Sequence, residues 1–137
     1  MYLYVCEDSI DGIFTGVYDA WASRHGHANI RLTTRQPENY SLFSEYIAVQ
    51  TDYGKSQKVA RTLYNRLGEE TYTELCQAAA SQEGQPRRRK AMDKADAIYR
   101  TIVLALALED GSKVLNYLGE PYVNRVFQLS RSAGNEA

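Results

Sequence analysis

Residues 2–21, YLYVCEDSIDGIFTGVYDAW, carry the pattern that decides the fold. In YLYVC, Tyr2, Tyr4 and Cys6 alternate with Leu3 and Val5, the period of two that suits a strand. The period then changes. Ile10, Ile13, Phe14, Val17, Tyr18 and Trp21 fall at i, i+3, i+4, i+7, i+8 and i+11, an apolar stripe along one side of a helix. Between the two lie a thiol and carboxylates: Cys6, Glu7 and Asp8, with Asp11 in the first helical turn. Asp8 or Ser9 can cap the helix by accepting from a free backbone N–H, and the acids suit the positive end of the helix dipole. Capping accounts for these acids better than a catalytic or metal role, which needs a second cluster of partners that the sequence does not display.

The same contrast of periods extends along the chain. The first helix ends near RHGHAN, where Gly26 and Asn29 break the pattern; IRLTT (residues 30–34) can form a short strand, and EYIAVQTD (residues 45–52) reads as another. From there on the chain is helical. KSQKVARTLYNRLG (residues 55–68) places Val59, Leu63, Tyr64 and Leu67 on one face, and EETYTELCQAAASQ (residues 69–82) does the same with Tyr72, Leu75, Cys76 and Ala79. A longer helix is expected from about Arg88 to Leu108 with Met92, Ala95, Tyr99, Ile102 and Leu106 inward. Two short helices follow, SKVLNYLG and one that has Pro121 near its first turn. The expected class is α+β, predominantly helical, with a small sheet of two or three strands covered by a bundle of five or six helices. A crossover through the first helix would make the strands parallel, while the long connection after it leaves antiparallel pairing open.

A chain of 137 residues, 44% hydrophobic and 24% charged, suits a single domain with a sizeable core. No apolar run approaches the roughly 20 residues of a membrane span, and MYLYVCED lacks the basic start and apolar stretch of a signal peptide. A cytoplasmic protein is the expectation. Cys6 and Cys76 lie far apart without metal-ligand spacing and read as two mostly buried thiols. His25 and His27 flank a glycine and read as a surface turn in preference to a metal pair. No metal and no cofactor is expected. Neither a Gly-rich phosphate loop, HExxH, GxSxG nor the three-cysteine motif of a radical SAM enzyme occurs. Gly12 and Gly16, spaced GxxxG within the first helix, are expected to admit close packing.

Charge is distributed unevenly. Residues 1–85 carry seven Lys/Arg against eleven Asp/Glu, and residues 86–137 carry nine against six. The excess comes from Arg87, Arg88, Arg89, Lys90, Lys94 and Arg100, against Asp93 and Asp96. On the expected helix Arg87, Lys90 and Lys94 follow i, i+3, i+7 and would form a solvent-facing ridge with Arg88 or Arg89 beside it. Cations at a helix N-terminus oppose its dipole, which points them toward a ligand or partner; the alternative is a solvated face. Lys and Arg neutralise phosphates, and eleven tyrosines offer planar groups for stacking on a single strand.

Three blocks in order, CEDSIDGIFTGVYDAWASR, KADAIYRTIVLAL and PYVNRVFQLSRSAGNEA, resemble a bacterial domain-of-unknown-function family whose members are labelled DNA metabolism or DNA repair proteins. The resemblance covers essentially the whole chain, which resembles the N-terminal part of a typical member and stops after the GNEA motif at Ala137. It implies a radical SAM partner, since members accompany such a protein, and a link to uracil-DNA glycosylase-like domains, to which related domains are fused. It carries no reaction with it. Cys6, Glu7, Asp8, Asp11 and Asn135 fall within the resembling blocks and are a possible family surface. Two functions follow as expectations. One is an accessory domain that binds nucleic acid through Arg87, Arg88, Arg89, Lys90 and Lys94 and delivers it to an enzyme. The other is a scaffold that docks the radical SAM or glycosylase-like partner without touching DNA. Catalysis by the domain itself is the weaker expectation.

Overall fold

The computed structural model describes residues 1–36, 44–82 and 92–134, with Ala133 and Gly134 described by their backbone only. The expected strand-to-helix change is its first feature: β1 (Tyr2–Val5) leads into α1 (Ile10–Ser23). A 3-10 turn at His27–Asn29 then feeds β2 (Ile30–Thr33), and β3 (Glu45–Ala48) completes a three-stranded sheet of order β2-β1-β3. Both pairings are parallel, with Tyr4 opposite Leu32 on one side and Ile47 on the other. The antiparallel alternative is thereby closed. Parallel neighbours need a crossover, and α1 supplies the one from β1 to β2. Two further bonds, Cys6 N–H to the Thr33 carbonyl at 2.8 Å and Val49 N–H to the Val5 carbonyl at 2.9 Å, extend the ladder to the sheet's C-terminal edge. The third strand is shorter than the alternation suggested, ending at Ala48.

The helices α2 (Tyr53–Leu67), α3 (Glu69–Ala80), α4 (Lys94–Ala107) and α5 (Pro121–Gly134) follow, with a 3-10 segment at Gly111–Asn116 where a short α-helix was expected. The structure is thus α+β and mostly helical, as its periodicities indicate. α1 packs on α2, and α5 packs on both α3 and α4. Ile13, Phe14 and Val17 from α1, Leu63 and Leu67 from α2, Leu75 from α3, Ile98 and Ile102 from α4 and Val126 from α5 are all buried in one continuous core. Each such side chain contributes on the order of 1.5–3 kcal/mol by leaving water.

Both helical glycines do what their spacing suggested. A Cβ on Gly12 would run into the Glu7 carbonyl oxygen, and one on Gly16 into the Cys6 sulfur, so α1 lies against the end of β1 only because these positions have no side chain. The stripe of α1 is nevertheless rotated from its expected centre. Gly12, Thr15, Gly16 and Ala20 are buried, whereas Trp21 is 38% exposed. Tyr64, expected inward, is 50% exposed.

The edge of β2 is closed by side chains of α4. Asp96 accepts from the Leu32 N–H at 3.1 Å, Asp93 accepts from the Thr33 hydroxyl at 2.6 Å, and Arg100 donates to the carbonyls of His27 and Ile30. An acceptor followed one turn later by a donor takes the place of a fourth strand on an edge that would otherwise leave backbone groups unpaired. Burial raises the Asp96 pKa above the usual carboxylate value even though the Leu32 N–H and Arg100 favour its charged form.

α4 begins at Lys94, several residues after the expected start near Arg88. Asp93 has extended backbone with ψ 135° and caps the helix by accepting from the Ala95 N–H at 3.0 Å. Among the described residues no helix is long and apolar enough to cross a membrane.

Candidate nucleic-acid interface

The carboxylates that follow β1 occupy the C-terminal edge of a parallel sheet. Open α/β sheets commonly bind ligands at such a point. The N-termini of α1, α2 and α4 converge here, and each is already capped from within. The Ser9 hydroxyl accepts from Gly12 N–H at 2.9 Å, Asp52 from Lys55 N–H at 3.0 Å, and Asp93 from Ala95 N–H. The remaining acids tie elements together: Glu7 accepts from the Thr51 hydroxyl at 3.1 Å, Asp11 from the Ser56 hydroxyl at 2.7 Å, and Asp8 from the Lys94 ammonium. Cys6 is buried behind them, and desolvation, with Asp93 and Asp19 adding to it, pushes its thiol up to about 12. A thiol held protonated is a poor nucleophile. Of the residues expected to form a shared surface, Cys6, Glu7, Asp8 and Asp11 form one junction whose visible work is structural, and Asn135 lies outside the described residues.

Lys94 corrects the expected basic ridge. Its side chain is 0% exposed and donates to Asp8 and, at 2.7 Å, to the Ser81 carbonyl at the end of α3. The physical reason is the position of the helix start: with Asp93 as cap, Lys94 is the first helical residue and turns in toward the acidic junction. Arg100, counted in the same basic excess, is bound to the edge of β2. Arg87, Arg88, Arg89 and Lys90 lie outside the described residues.

A second cationic surface went unread in the sequence. α2, YGKSQKVARTLYNRL, contains Lys55, Lys58, Arg61 and Arg66 and no acid. Lys55 is held by Asp19 at 2.9 Å, and this hydrogen bond, followed by the Asp19 charge, raises the ammonium pKa. Lys58, Arg61 and Asn65 follow i, i+3, i+7 on the solvent side, with Tyr53 (68% exposed) and Tyr64 along one margin. The signal was present, four cations in one predicted helix, but a tally over residues 1–85 hid it under the acids of other elements.

Beside this face lies an open groove of about 570 Å³ between α1, α2 and α4. Val17, Val59, Leu63, Ile102 and Leu106 line its floor, Tyr18 and Trp21 one wall, and Arg24, Lys58 and Thr62 its margin. The ammonium groups of Lys55 and Lys58 lie 5.6 and 5.8 Å from the centre of the Tyr18 ring, within cation–π range. The groove was missed because Trp21 read as core.

The histidines part company. The His25 ring stacks on Tyr2 at 3.7 Å with an interplanar angle of 6°, whereas His27 hydrogen-bonds the Tyr99 hydroxyl through Nδ1 and packs against Trp21 at 4.3 Å. Desolvation, and after it the Arg100 charge, lower the His27 pKa from its ordinary value. Among the described residues no three His, Cys, Asp or Glu side chains are grouped to hold a metal ion. No family model, curated protein or solved structure matches this chain.

Proposed function

We propose that this domain is a non-catalytic accessory module of DNA metabolism that holds nucleic acid and presents it to a partner enzyme. The observation that supports this reading best is the solvent face of α2, where Lys58 and Arg61 stand without an acid in the helix and beside exposed tyrosines. Cations spaced along a helix can follow a phosphate backbone, and neighbouring rings can stack on unpaired bases. The run Arg87–Lys90 adds positive charge in the sequence just ahead of α4. The acidic junction supports a binding role in its own way, since its carboxylates are engaged by protein groups and its thiol is buried.

Fluorescence anisotropy with labelled single- and double-stranded DNA, repeated over a range of salt, tests the proposal. The expected result is binding that weakens steeply with salt. In the double variant Lys58→Ala/Arg61→Ala the salt slope should fall by about 0.7–0.9 for each phosphate no longer neutralised. A second variant replacing Arg87, Arg88, Arg89 and Lys90 with alanine measures the other cationic segment. No binding at low salt, or binding indifferent to salt, would sink the reading. In the scaffold alternative a radical SAM or glycosylase-like protein docks on the exposed aromatic and charged surface, such as Tyr53, without touching nucleic acid, and its association would survive nuclease treatment.

A further inference from the structure

The groove between α1, α2 and α4 differs chemically from the cationic face beside it. Its volume of about 570 Å³ falls within the roughly 300–1,000 Å³ of small-molecule sites. Its floor is aliphatic. The polar edges of a nucleobase would find few partners against Val17, Val59, Ile102 and Leu106, and unpaired polar groups are costly to bury. Its charged lining residues are Arg24 and Lys58, two cations with no carboxylate among them. We propose that the groove binds an amphipathic anion, a molecule with an apolar body and a single carboxylate or phosphate head, the body on the aliphatic floor and the head between Arg24 and Lys58.

The backbone at Arg24 adds to this. The residue ends α1 in the left-handed region, φ 59° and ψ 23°, where glycine is the ordinary occupant and a side chain is strained. A cation would complement the negative end of α1 equally from within the last turn, which contains none. Keeping arginine at the strained position, on the margin of an apolar groove, is accounted for by a negative head group bound there. Lys58 faces the same opening from α2, its ammonium beside the Tyr18 ring.

The chain's single tryptophan, Trp21, lines the groove and reports on it without a label. His27, in contact with Trp21, has a lowered pKa, so slightly above pH 7 it is neutral and does not add a titrating quencher. The experiment follows Trp21 emission of the full chain, in the absence of DNA, during titration with decanoate, decyl phosphate, decanol and decyltrimethylammonium below their micelle concentrations. Saturable changes are expected with the two anions, at affinities about tenfold above decanol, and none with the cation; the better of the anions identifies the head group. Arg24→Gly and Lys58→Gln should each weaken anion binding about fivefold, as removing a partly exposed ion pair does, and leave decanol unchanged. Arg24→Gly should do so with a thermal midpoint no lower than the parent's, because glycine relieves the left-handed strain, which separates impaired recognition from impaired folding. Equal affinity for all four head groups, anion binding untouched in both variants, or a silent Trp21 would overturn the proposal. A groove that ignores these amphiphiles and instead takes a synthetic acidic amphipathic helix would be a protein-docking surface, which also overturns it.

Discussion

Lys94 and Lys58 are the same residue in two regions of one molecule, and they do opposite things. Lys94 sits at the first position of α4, withdrawn from water between Asp8 and the Ser81 carbonyl; Lys58 sits in mid α2, in solvent, at the margin of an apolar groove. By sequence the first belonged to the more promising cluster, since it follows three arginines and a lysine. The difference teaches that charge density along a chain does not report charge available to a partner. A cation at the N-terminus of a helix is repelled by the dipole and finds a counter-ion if the fold offers one. A cation in mid-helix on the outer side has no such demand on it.

Perturbing the buried member should have the largest effect. Lys94→Ala leaves the Ser81 carbonyl without its donor and empties the volume of a buried side chain, so it is expected to cost about 3 kcal/mol in urea denaturation. A loss under about 1 kcal/mol would mean that the junction is not structural, and the contrast with Lys58 would break. Next comes the packing that brings α1 to β1. Gly16→Ala drives a methyl group into the Cys6 sulfur and should cost about 2 kcal/mol, and combining it with Cys6→Ala should recover part of that loss. A strictly additive double variant would show that the clash with the sulfur is not the source.

The thiols and the histidine sharpen the comparison further. With burial pushing Cys6 up to about 12, a disulfide reagent applied to the native protein should modify Cys76, which is only half-buried, well before Cys6. Simultaneous labelling would mean that the acidic junction opens readily. His27 has a folded pKa below its unfolded one, so the unfolded chain binds the proton more readily. Stability is therefore unaffected well above the unfolded value of about 6.5 and declines as pH falls from there through the lower folded pKa. Trp21 emission and the thermal midpoint should both fall over that window and become flatter in His27→Gln. The smallest effect is expected at the exposed face: Lys58→Ala/Arg61→Ala should change stability by no more than about 0.5 kcal/mol, since among the described residues neither side chain is buried in an ion pair as Lys94 is. If that double variant is as damaging as Lys94→Ala, the α2 cations are structural too.

The periodicities of YLYVC and IDGIFTGVYDAW set the strand, the helix and their order, because a period of two and a period of 3.6 are local properties of a chain. The same holds for the later helices and for the small-residue spacing of Gly12 and Gly16. What sequence could not reveal are the relations that depend on which elements meet. The parallel pairing of β3 with β1, the α4 side chains that close the edge of β2, and the capture of Lys94 by Asp8 join residues as many as 86 positions apart. The start of α4 moved to Lys94 for the same reason, since Asp93 bonds Thr33 while it caps the helix. The candidate site divides along this line. The cations of α2 were readable in their helix, but the groove exists only where α1, α2 and α4 leave a gap, and Trp21 lines that gap instead of filling the core. Local pattern tells which side of an element is apolar; whether that side is covered, and whether a charge is left for a partner, is decided by what packs against it.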